Sequence, residues 1–389
     1  MAGCRFYILP TGGWKEQLMA LIRVMTVFGT RPEAIKLAPV IQQLEKDNRF
    51  NSIVVVTAQH REMLDQVLNL FNIQPNSDLN LMREDQDLAS LSASIFSNLD
   101  PILEEYKPDW LLIQGDTTTS MVAALTAYYR RIKVGHVEAG LRTGNKWQPF
   151  PEEINRRIAS ATADMHFAPT EWARSNLLRE GISDDLIKVT GNTIIDALKQ
   201  ISAVPIPNEI KELLNKKRIL SGKKQLIVIT AHRRENFGTP LINICSALKS
   251  LANKFQDRIE IIYPVHLNPN VHKPVNKLLR SIPNITLLPP LEYLSLVHLL
   301  KHAYLILTDS GGIQEEATGL GIPCLVLRKV TERPEGIEAG VLKLVGVNTD
   351  TILNEVSYLL DDQSAYQAMA HSANPYGNGN AAAKIVKSL

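Results

Sequence analysis

Several acidic residues follow apolar segments that have the length and composition of buried strands. Asp116 comes after residues 110–114, Glu138 comes after residues 132–137, and Glu152 and Glu153 open a helical segment. Carboxylates gathered in a cleft can supply a general base and a general acid, provided that burial moves their pKa values apart. Structural roles stay open: Asp116 could cap the helix that follows it, and Glu152 and Glu153 could be first-turn residues favoured by the dipole of the helix that they open.

A second group of residues has the types expected of a phosphate site. Ser310, Gly311 and Gly312 separate a strand-like segment from a helical one. Small residues there leave free N–H groups at a helix N-terminus, where the dipole favours an anion. Arg31 and Lys36 flank an earlier helix start and are suited to clamp a diphosphate. The alternatives are glycines chosen only for their dihedral angles and, for Lys36, a solvated helix face.

His232 opens a polar cluster directly after another strand-like segment. It could contact a phosphate or donate a proton to a leaving oxygen, and a purely structural histidine is the alternative. The histidines and acids lack metal-ligand spacing, so no metal is expected. The sequence also lacks the glycine fingerprint of a dinucleotide site after its first strand and a Gly-Lys-Ser/Thr phosphate loop. We therefore expect no cofactor.

The elements that must position these residues alternate between strand and helix, which predicts parallel α/β sheets. The alternation breaks near residues 203–207 and then restarts, so we predict two Rossmann-like, doubly wound domains. The predicted limits are an extension at residues 1–20, domains at 21–203 and 204–370, and a helix at 371–389 that packs back on the first domain. Ligands bind at strand C-terminal edges in such sheets, and two facing edges would form one interdomain cleft.

Composition narrows the classes further. The 389 residues are 45% hydrophobic and 21% charged, and the net charge of +2 argues against a dedicated nucleic-acid binder. No apolar run reaches membrane-spanning length, and the first residues lack a secretory signal. The 3 cysteines are scattered, which suits a reducing compartment, so we expect a cytoplasmic protein without a membrane partner.

Taken together, the motifs resemble those of the non-hydrolysing UDP-N-acetylglucosamine 2-epimerases. The resemblance runs from about residue 22 to the C-terminus. It is carried by GTRPEAIK at 29–36, QHREM at 59–63, GDT at 115–117, HVEAGLR at 136–142, PEE at 151–153, TGNT at 190–193, HRREN at 232–236, DSGG at 309–312 and TERPE at 331–335.

The resemblance implies a glycosyltransferase-B architecture with UDP in the interdomain cleft and a homodimeric assembly. It implies that UDP-GlcNAc and UDP-ManNAc interconvert by elimination of UDP to 2-acetamidoglucal and re-addition, without a cofactor, supplying precursors for surface polysaccharide. By position, the acid–base or catalytic residues are Asp116, Glu138, Glu152 and His232. The substrate contacts are Arg31, Lys36, Leu291, Leu296, Ser310, Gly311, Gly312, Glu316 and Arg333.

Many bacterial members of that family also bind a second UDP-GlcNAc as an activator. Gln59, Glu62, Arg234 and His266 resemble parts of that site, whereas Asp85 stands near where a basic residue is expected. The rival classes are a hydrolysing epimerase, a glycosyltransferase of the same architecture and an inactive nucleotide-sugar sensor. The run Arg31-Pro32-Glu33-Ala34 disfavours the first, since hydrolysing relatives carry Arg-Ala/Ser-Asp-Tyr there, and the intact carboxylate set disfavours the other two.

Overall fold

The computed structural model describes residues 21–57, 61–81 and 86–389, with the side chains of residues 61 and 62 left out. The predicted extension at residues 1–20 therefore lies outside the described part of the chain. Within that part, none of the helices is both long and apolar enough to cross a membrane.

The first half of the chain forms a parallel sheet whose strands are covered by helices on both faces. Within the described residues its order is β3-β2-β1-β4-β5-β6-β7. The strands are β1 Ile22–Phe28, β2 Phe50–Val56, β3 Ser77–Asp78, β4 Trp110–Gln114, β5 Lys133–Val137, β6 Met165–Ala168 and β7 Ile187–Val189. The helices are α1 Arg31–Lys46, α2 Arg61–Leu70, α3 Leu88–Tyr106, α4 Thr118–Tyr129, α5 Glu152–Thr162, α6 Glu171–Arg179 and α7 Thr193–Ala203.

The second half forms another parallel sheet, ordered β10-β9-β8-β11-β12-β13. Its strands are β8 Gln225–Thr230, β9 Ile259–Pro264, β10 Ile285–Leu288, β11 Leu305–Thr308, β12 Cys324–Val326 and β13 Leu342–Leu344. Its helices are α8 Asn208–Lys216, α9 Thr239–Lys254, α10 Pro269–Leu279, α11 Tyr293–Lys301, α12 Gly311–Leu320, α13 Pro334–Glu338, α14 Thr349–Asp361 and α15 Gln363–Ala370. A last helix, α16, spans Ala381–Ser388.

Both sheets reverse their strand order once, between β1 and β4 and between β8 and β11. Loops on the two sides of such a point diverge and leave a crevice at the carboxyl ends of the strands. Arg31 and Asp116 follow β1 and β4, while His232 and Ser310 follow β8 and β11. The fold is thus α/β with two Rossmann-like halves, as predicted, and each half presents its crevice residues at one sheet edge.

Helix α7 joins the two halves by packing against α11 and α12. Gly319 of α12 permits a close approach, because a Cβ there would lie 2.8 Å from methyl carbons of both Ile195 and Leu198. Tyr293 and Val297 of α11 belong to the same buried cluster as core residues of the first sheet. The halves therefore share apolar packing beside the crevices.

The chain terminus packs on the first half, with α16 against α1 and α7. Asp196 of α7 accepts the backbone N–H groups of Ala381 at 3.1 Å and Ala382 at 3.0 Å, which satisfies two free donors at the start of α16. The exact domain limits at residues 203 and 370 stay predictions.

Candidate active site

A cavity of about 320 Å³ lies between the two halves, where their strand C-termini meet. Eleven of the predicted site residues line it: Arg31, Lys36, Asp116, Glu138, Glu152, Leu296, Ser310, Gly311, Gly312, Glu316 and Arg333. Carboxylates of the first half therefore face the glycine loop of the second half across one space.

Asp116 is held by an arginine and does not cap the helix that follows it. Its Oδ2 accepts Arg156 Nε at 2.9 Å and lies 2.6 Å from Arg156 Nη2. Thr117 caps α4 instead, since its hydroxyl accepts the N–H of Ser120 at 3.0 Å. The Asp116 side chain keeps 26% of its surface exposed, so its carboxylate is oriented and still reachable from the cavity.

Glu152 and Glu153 stand side by side at the start of α5 but have different surroundings. Glu153 is fully buried and accepts the N–H groups of Thr143 and Gly144, each at 3.1 Å, and Arg156 Nη1 at 3.2 Å. Glu152 lines the cavity, and its buried Oε2 has no hydrogen-bond partner among the described residues. Burial raises the pKa of Glu152, which favours a protonated carboxyl able to donate. Glu153 is structural, and Glu152 is the carboxyl free for chemistry.

Glu138 lies at the end of β5 with a left-handed backbone, φ 65°. A non-glycine residue there is strained, and strain of this kind is concentrated at functional sites. Its Oε2 is contacted by Lys36 Nζ and accepts Asn192 Nδ2 at 3.1 Å. Burial raises the pKa of Glu138, while the Lys36 cation opposes that rise. The surroundings thus favour a carboxylate with an increased affinity for a proton.

Lys36 and Arg333, one from each half, meet on a buried carboxylate at the base of the cavity. Glu315 Oε2 lies 3.1 Å from Lys36 Nζ, and Glu315 Oε1 accepts Arg333 Nε at 2.7 Å. Burial opposes ionisation of Glu315, yet the two cations hold its pKa below the usual value. A second acid, Glu332, also pairs with Arg333: its Oε2 lies 3.6 Å from Arg333 Nη1 and 2.8 Å from Arg328 Nη1. Because every one of these buried charges has an oppositely charged partner, the cost of removing them from water is offset.

The two glycines of the loop are small for different reasons. A Cβ on Gly311 would lie 2.6 Å from Arg333 Nη1, so this glycine makes room for the guanidinium. A Cβ on Gly312 would have no neighbour within 4 Å, so that position opens on the cavity. Both lie in the first turn of α12, where unpaired N–H groups attract anions. The loop thus combines a helix N-terminus with an arginine in one anion site.

Glu316 lines the cavity near Tyr293 and Arg31. Burial raises the pKa of Glu316 to about 7, with Tyr293 and Arg31 opposing the rise. Its Oε2 is buried without a hydrogen-bond partner among the described residues. A ligand hydroxyl group would satisfy that oxygen, as expected of the predicted ribose contact.

His232 is anchored at the mouth of the crevice by a buried aspartate. Asp309 Oδ2 accepts the N–H groups of His232 at 2.9 Å and Arg233 at 2.8 Å, and Asn236 Nδ2 at 2.9 Å. Asp309 Oδ1 lies 3.6 Å from His232 Nδ1, and the ring stacks on His266 at 5.5 Å. Burial lowers the pKa of His232, which favours the neutral imidazole. His232 does not line the cavity itself, whereas Arg233 does.

Three comparisons with known proteins agree with this geometry. The family model for UDP-N-acetylglucosamine 2-epimerase matches residues 42–389. Over 370 residues, the chain is 52% identical to the UDP-N-acetylglucosamine 2-epimerase of Yersinia pestis, covering 95% of this chain and 98% of the relative. The chain belongs to the UDP-N-acetylglucosamine 2-epimerase family.

Solved structures of the UDP-N-acetylglucosamine 2-epimerase family show the same fold. The Neisseria meningitidis protein bound to UDP-GlcNAc matches with a TM-score of 0.86 at 49% identity, covering 94% of this chain and 99% of that chain. The Methanocaldococcus jannaschii protein in complex with UDP-GlcNAc and UDP matches with a TM-score of 0.80 at 34% identity, over 94% and 99% of the two chains.

Some predicted residues of this epimerase lie away from the cavity. Leu291 packs, partly buried, against an apolar cluster of the second half and is absent from the lining, whereas Leu296 is present. Arg234 and His266 are exposed and do not line the cavity. Gln59, the Glu62 side chain and Asp85 lie outside the described residues. The activator site therefore stays a prediction.

Sequence reasoning overlooked several residues that the epimerase fold places in or beside the cavity. Arg156 lies one helical turn after Glu152 and Glu153, and that spacing is the signal that could have revealed it. Asp309 and Glu332 belong to the DSGG and TERPE motifs, but their residue types alone did not indicate a role in the site. Tyr293, on α11, carried no sequence signal, since an aromatic residue in an apolar helix is usually a core residue.

Proposed function

We propose that the protein interconverts UDP-GlcNAc and UDP-ManNAc by inverting C2 of the sugar, without releasing free sugar. One observation carries the proposal: the cavity places three carboxylates opposite an anion site made of a helix N-terminus and cations. The carboxylates suit proton transfer at the sugar, and the anion site suits the diphosphate of UDP.

The reaction begins with cleavage of the bond between C1 and the diphosphate oxygen. The electron pair leaves with UDP, positive charge develops at C1, and the C2–H bond becomes acidic. A carboxylate then removes that proton, giving 2-acetamidoglucal and UDP, both held in the cavity. Re-addition of the diphosphate oxygen at C1 and of a proton at C2 from the opposite face gives the epimer. One proton is lost and one is gained at C2, so the overall reaction is an isomerisation.

The second half and α1 stabilise the leaving diphosphate. Arg31, Lys36 and Arg333 supply positive charge, and Ser310, Gly311 and Gly312 supply the start of α12. Preorganised charges and donors of this kind stabilise developing anions best in a cavity shielded from water. We assign the ribose diol to Glu316 and the uracil to Leu296, both of which line the cavity.

Asp116, Glu138 and Glu152 are the acid–base residues of the proposal. Their surroundings differ: Asp116 pairs with Arg156, Glu138 is contacted by Lys36, and Glu152 has charged neighbours but an Oε2 without a hydrogen-bond partner among the described residues. Burial raises the pKa of both Glu138 and Glu152, while the charges around the two carboxyls differ, as suits a reaction with one donor and one acceptor. His232, whose backbone N–H donates to Asp309, follows β8 beside the lining residue Arg233; we assign it, as a neutral imidazole, to donate a hydrogen bond to the diphosphate or to its leaving oxygen.

Proton NMR in heavy water with UDP-GlcNAc alone tests this function. UDP-ManNAc carrying deuterium at C2, with no free sugar accumulating, is the expected result. Free ManNAc plus UDP would place the protein among hydrolysing epimerases. If the spectrum stays unchanged with UDP-GlcNAc alone and turnover appears only after a sugar acceptor is added, the protein is a glycosyltransferase.

We also propose a homodimer, a cytoplasmic location, an activator role for a second UDP-GlcNAc and a supply of precursors for surface polysaccharide. Exposed aromatic rings support an assembly face, because Tyr128 and Tyr129 of α4 are 60% and 68% exposed and Tyr129 stacks on Phe96. Light scattering tests the dimer. Full turnover of UDP-ManNAc alone from the first second, without added UDP-GlcNAc, would contradict activation.

A further inference from the structure

Glu315 is the buried carboxylate that connects the cations of the two halves. It lies in the first turns of α12, is 1% exposed, and contacts Lys36 from α1 and Arg333 from the loop before α13. Its neighbour Glu316 lines the cavity, whereas Glu315 does not. Glu315 therefore acts on bound molecules through the cations that it holds.

Lys36 is shared between two carboxylates with different positions. Glu138 lines the cavity, while Glu315 lies behind it, and both contact the same ammonium group. Without Glu315, Lys36 would keep Glu138 as its one ion-pair contact among the described residues. A lysine held by Glu138 alone would be less available to a diphosphate and would stabilise the ionised form of Glu138 more strongly.

We propose that Glu315 is a positioning residue of the reaction. It competes with Glu138 for the Lys36 ammonium group and holds the Arg333 guanidinium beside it. The inference rests on the proposed function, because it assigns the two cations to the diphosphate and Glu138 to proton transfer. The arrangement keeps both cations in place before the substrate arrives. The entropic cost of ordering them therefore falls on folding and does not add to the reaction barrier.

The charged groups that face Glu138 determine the expected pH effect. They are Lys36 and Arg333, which favour its ionised form, and Glu315, which opposes it, while Asn192 donates a neutral hydrogen bond. Removing the negative charge of Glu315 therefore makes Glu138 lose its proton more readily. The acidic limb of the kcat profile, where Glu138 must be ionised to accept a proton, then moves to lower pH.

Glu315→Gln tests the proposal, since it keeps the size of the side chain and removes its charge. We expect kcat to fall about tenfold or more and the acidic limb to move down by about one pH unit. Glu315→Asp keeps the charge but shortens its reach, so kcat falls while the acidic limb stays in place. If the Gln variant does not fold, the Asp variant still decides.

Glu260→Gln is the matched control. Glu260 of β9 is likewise buried between two cations, 2.6 Å from Lys217 Nζ and 3.6 Å from Lys224 Nζ, and none of the three residues lines the cavity. It should lose stability with kcat and the pH profile unchanged. If both Glu315 variants lose only stability, like this control, Glu315 is merely structural and the proposal is overturned. An inactive wild-type protein in the same assay would instead contradict the proposed function.

Discussion

At the scale of single residues, Asp116 is the acid most directly testable. Because Arg156 orients it and Thr117 caps α4, replacing Asp116 by Asn should leave the fold intact. We expect kcat to fall at least about 10²-fold, the scale of a lost acid–base group. The measurement is turnover of UDP-GlcNAc by NMR, with thermal unfolding as the check on folding.

Asp184→Asn is the control for that change, because Asp184 also pairs with an arginine, Arg174, but on the exposed surface. Its kcat should match the wild type. Near-normal turnover in Asp116→Asn would reduce Asp116 to an anchor for Arg156.

Glu316 should make the ligand-free protein less stable at alkaline pH. Its pKa is about 7 in the folded protein against an ordinary 4.5, so the folded state binds the extra proton between these values. Stability from this group is therefore present at low pH and declines as pH rises through that interval. Glu316→Gln removes this titration. The difference in free energy of unfolding, variant minus wild type, should therefore rise by about 2 kcal/mol from pH 5 to pH 8.

Urea unfolding of both ligand-free proteins at the two pH values measures this difference. The same substitution should weaken UDP binding, because a neutral amide is a poorer acceptor for the ribose diol. Parallel pH dependence of the two proteins would show that Glu316 is not the titrating group.

At the scale of elements, the start of α12 separates two uses of glycine. Gly311→Ala should destabilise the ligand-free protein by about 1–3 kcal/mol, because its methyl group would displace the Arg333 guanidinium. Gly312→Ala meets open space, so stability should be unchanged or slightly higher, since alanine favours a helix.

Both α12 variants should nevertheless bind UDP more weakly than the wild type. Gly311→Ala moves a cation, and Gly312→Ala places a methyl group where a phosphate approaches. Calorimetric titration with UDP measures this. Unchanged affinity in Gly312→Ala would mean that no phosphate comes close to that position.

At the scale of the whole molecule, α16 closes the chain back onto the first half. Asp196→Ala removes the acceptor of two N–H groups at the start of α16. The free energy of unfolding should fall by about 0.5–2 kcal/mol, the range for a lost helix cap. Hydrogen exchange should accelerate at residues 381–388. Asp362→Ala, which removes the cap of α15 alone, should leave that exchange unchanged.

Much of this molecule could be predicted from its sequence because the relevant signals are local. Apolar runs followed by polar residues placed Arg31, Asp116, Glu138 and Ser310 at strand ends, and parallel sheets bring such ends to one edge. The restart of the alternation after residue 203 indicated a second sheet, and the motif series identified the family before any contact was known.

Only the tertiary structure decided which charges meet. Lys36 meets Glu138 from a distant part of the same half, and its contact with Glu315 crosses to the second half, which α7 holds in place by packing against α11 and α12. The family resemblance singled out Glu316 and Glu152, but only the structure shows why Glu315 and Glu153 differ from them, because adjacent helical residues point in different directions relative to the cavity. Burial and pairing, which determine proton affinity, are properties of the folded chain that no local sequence signal shows.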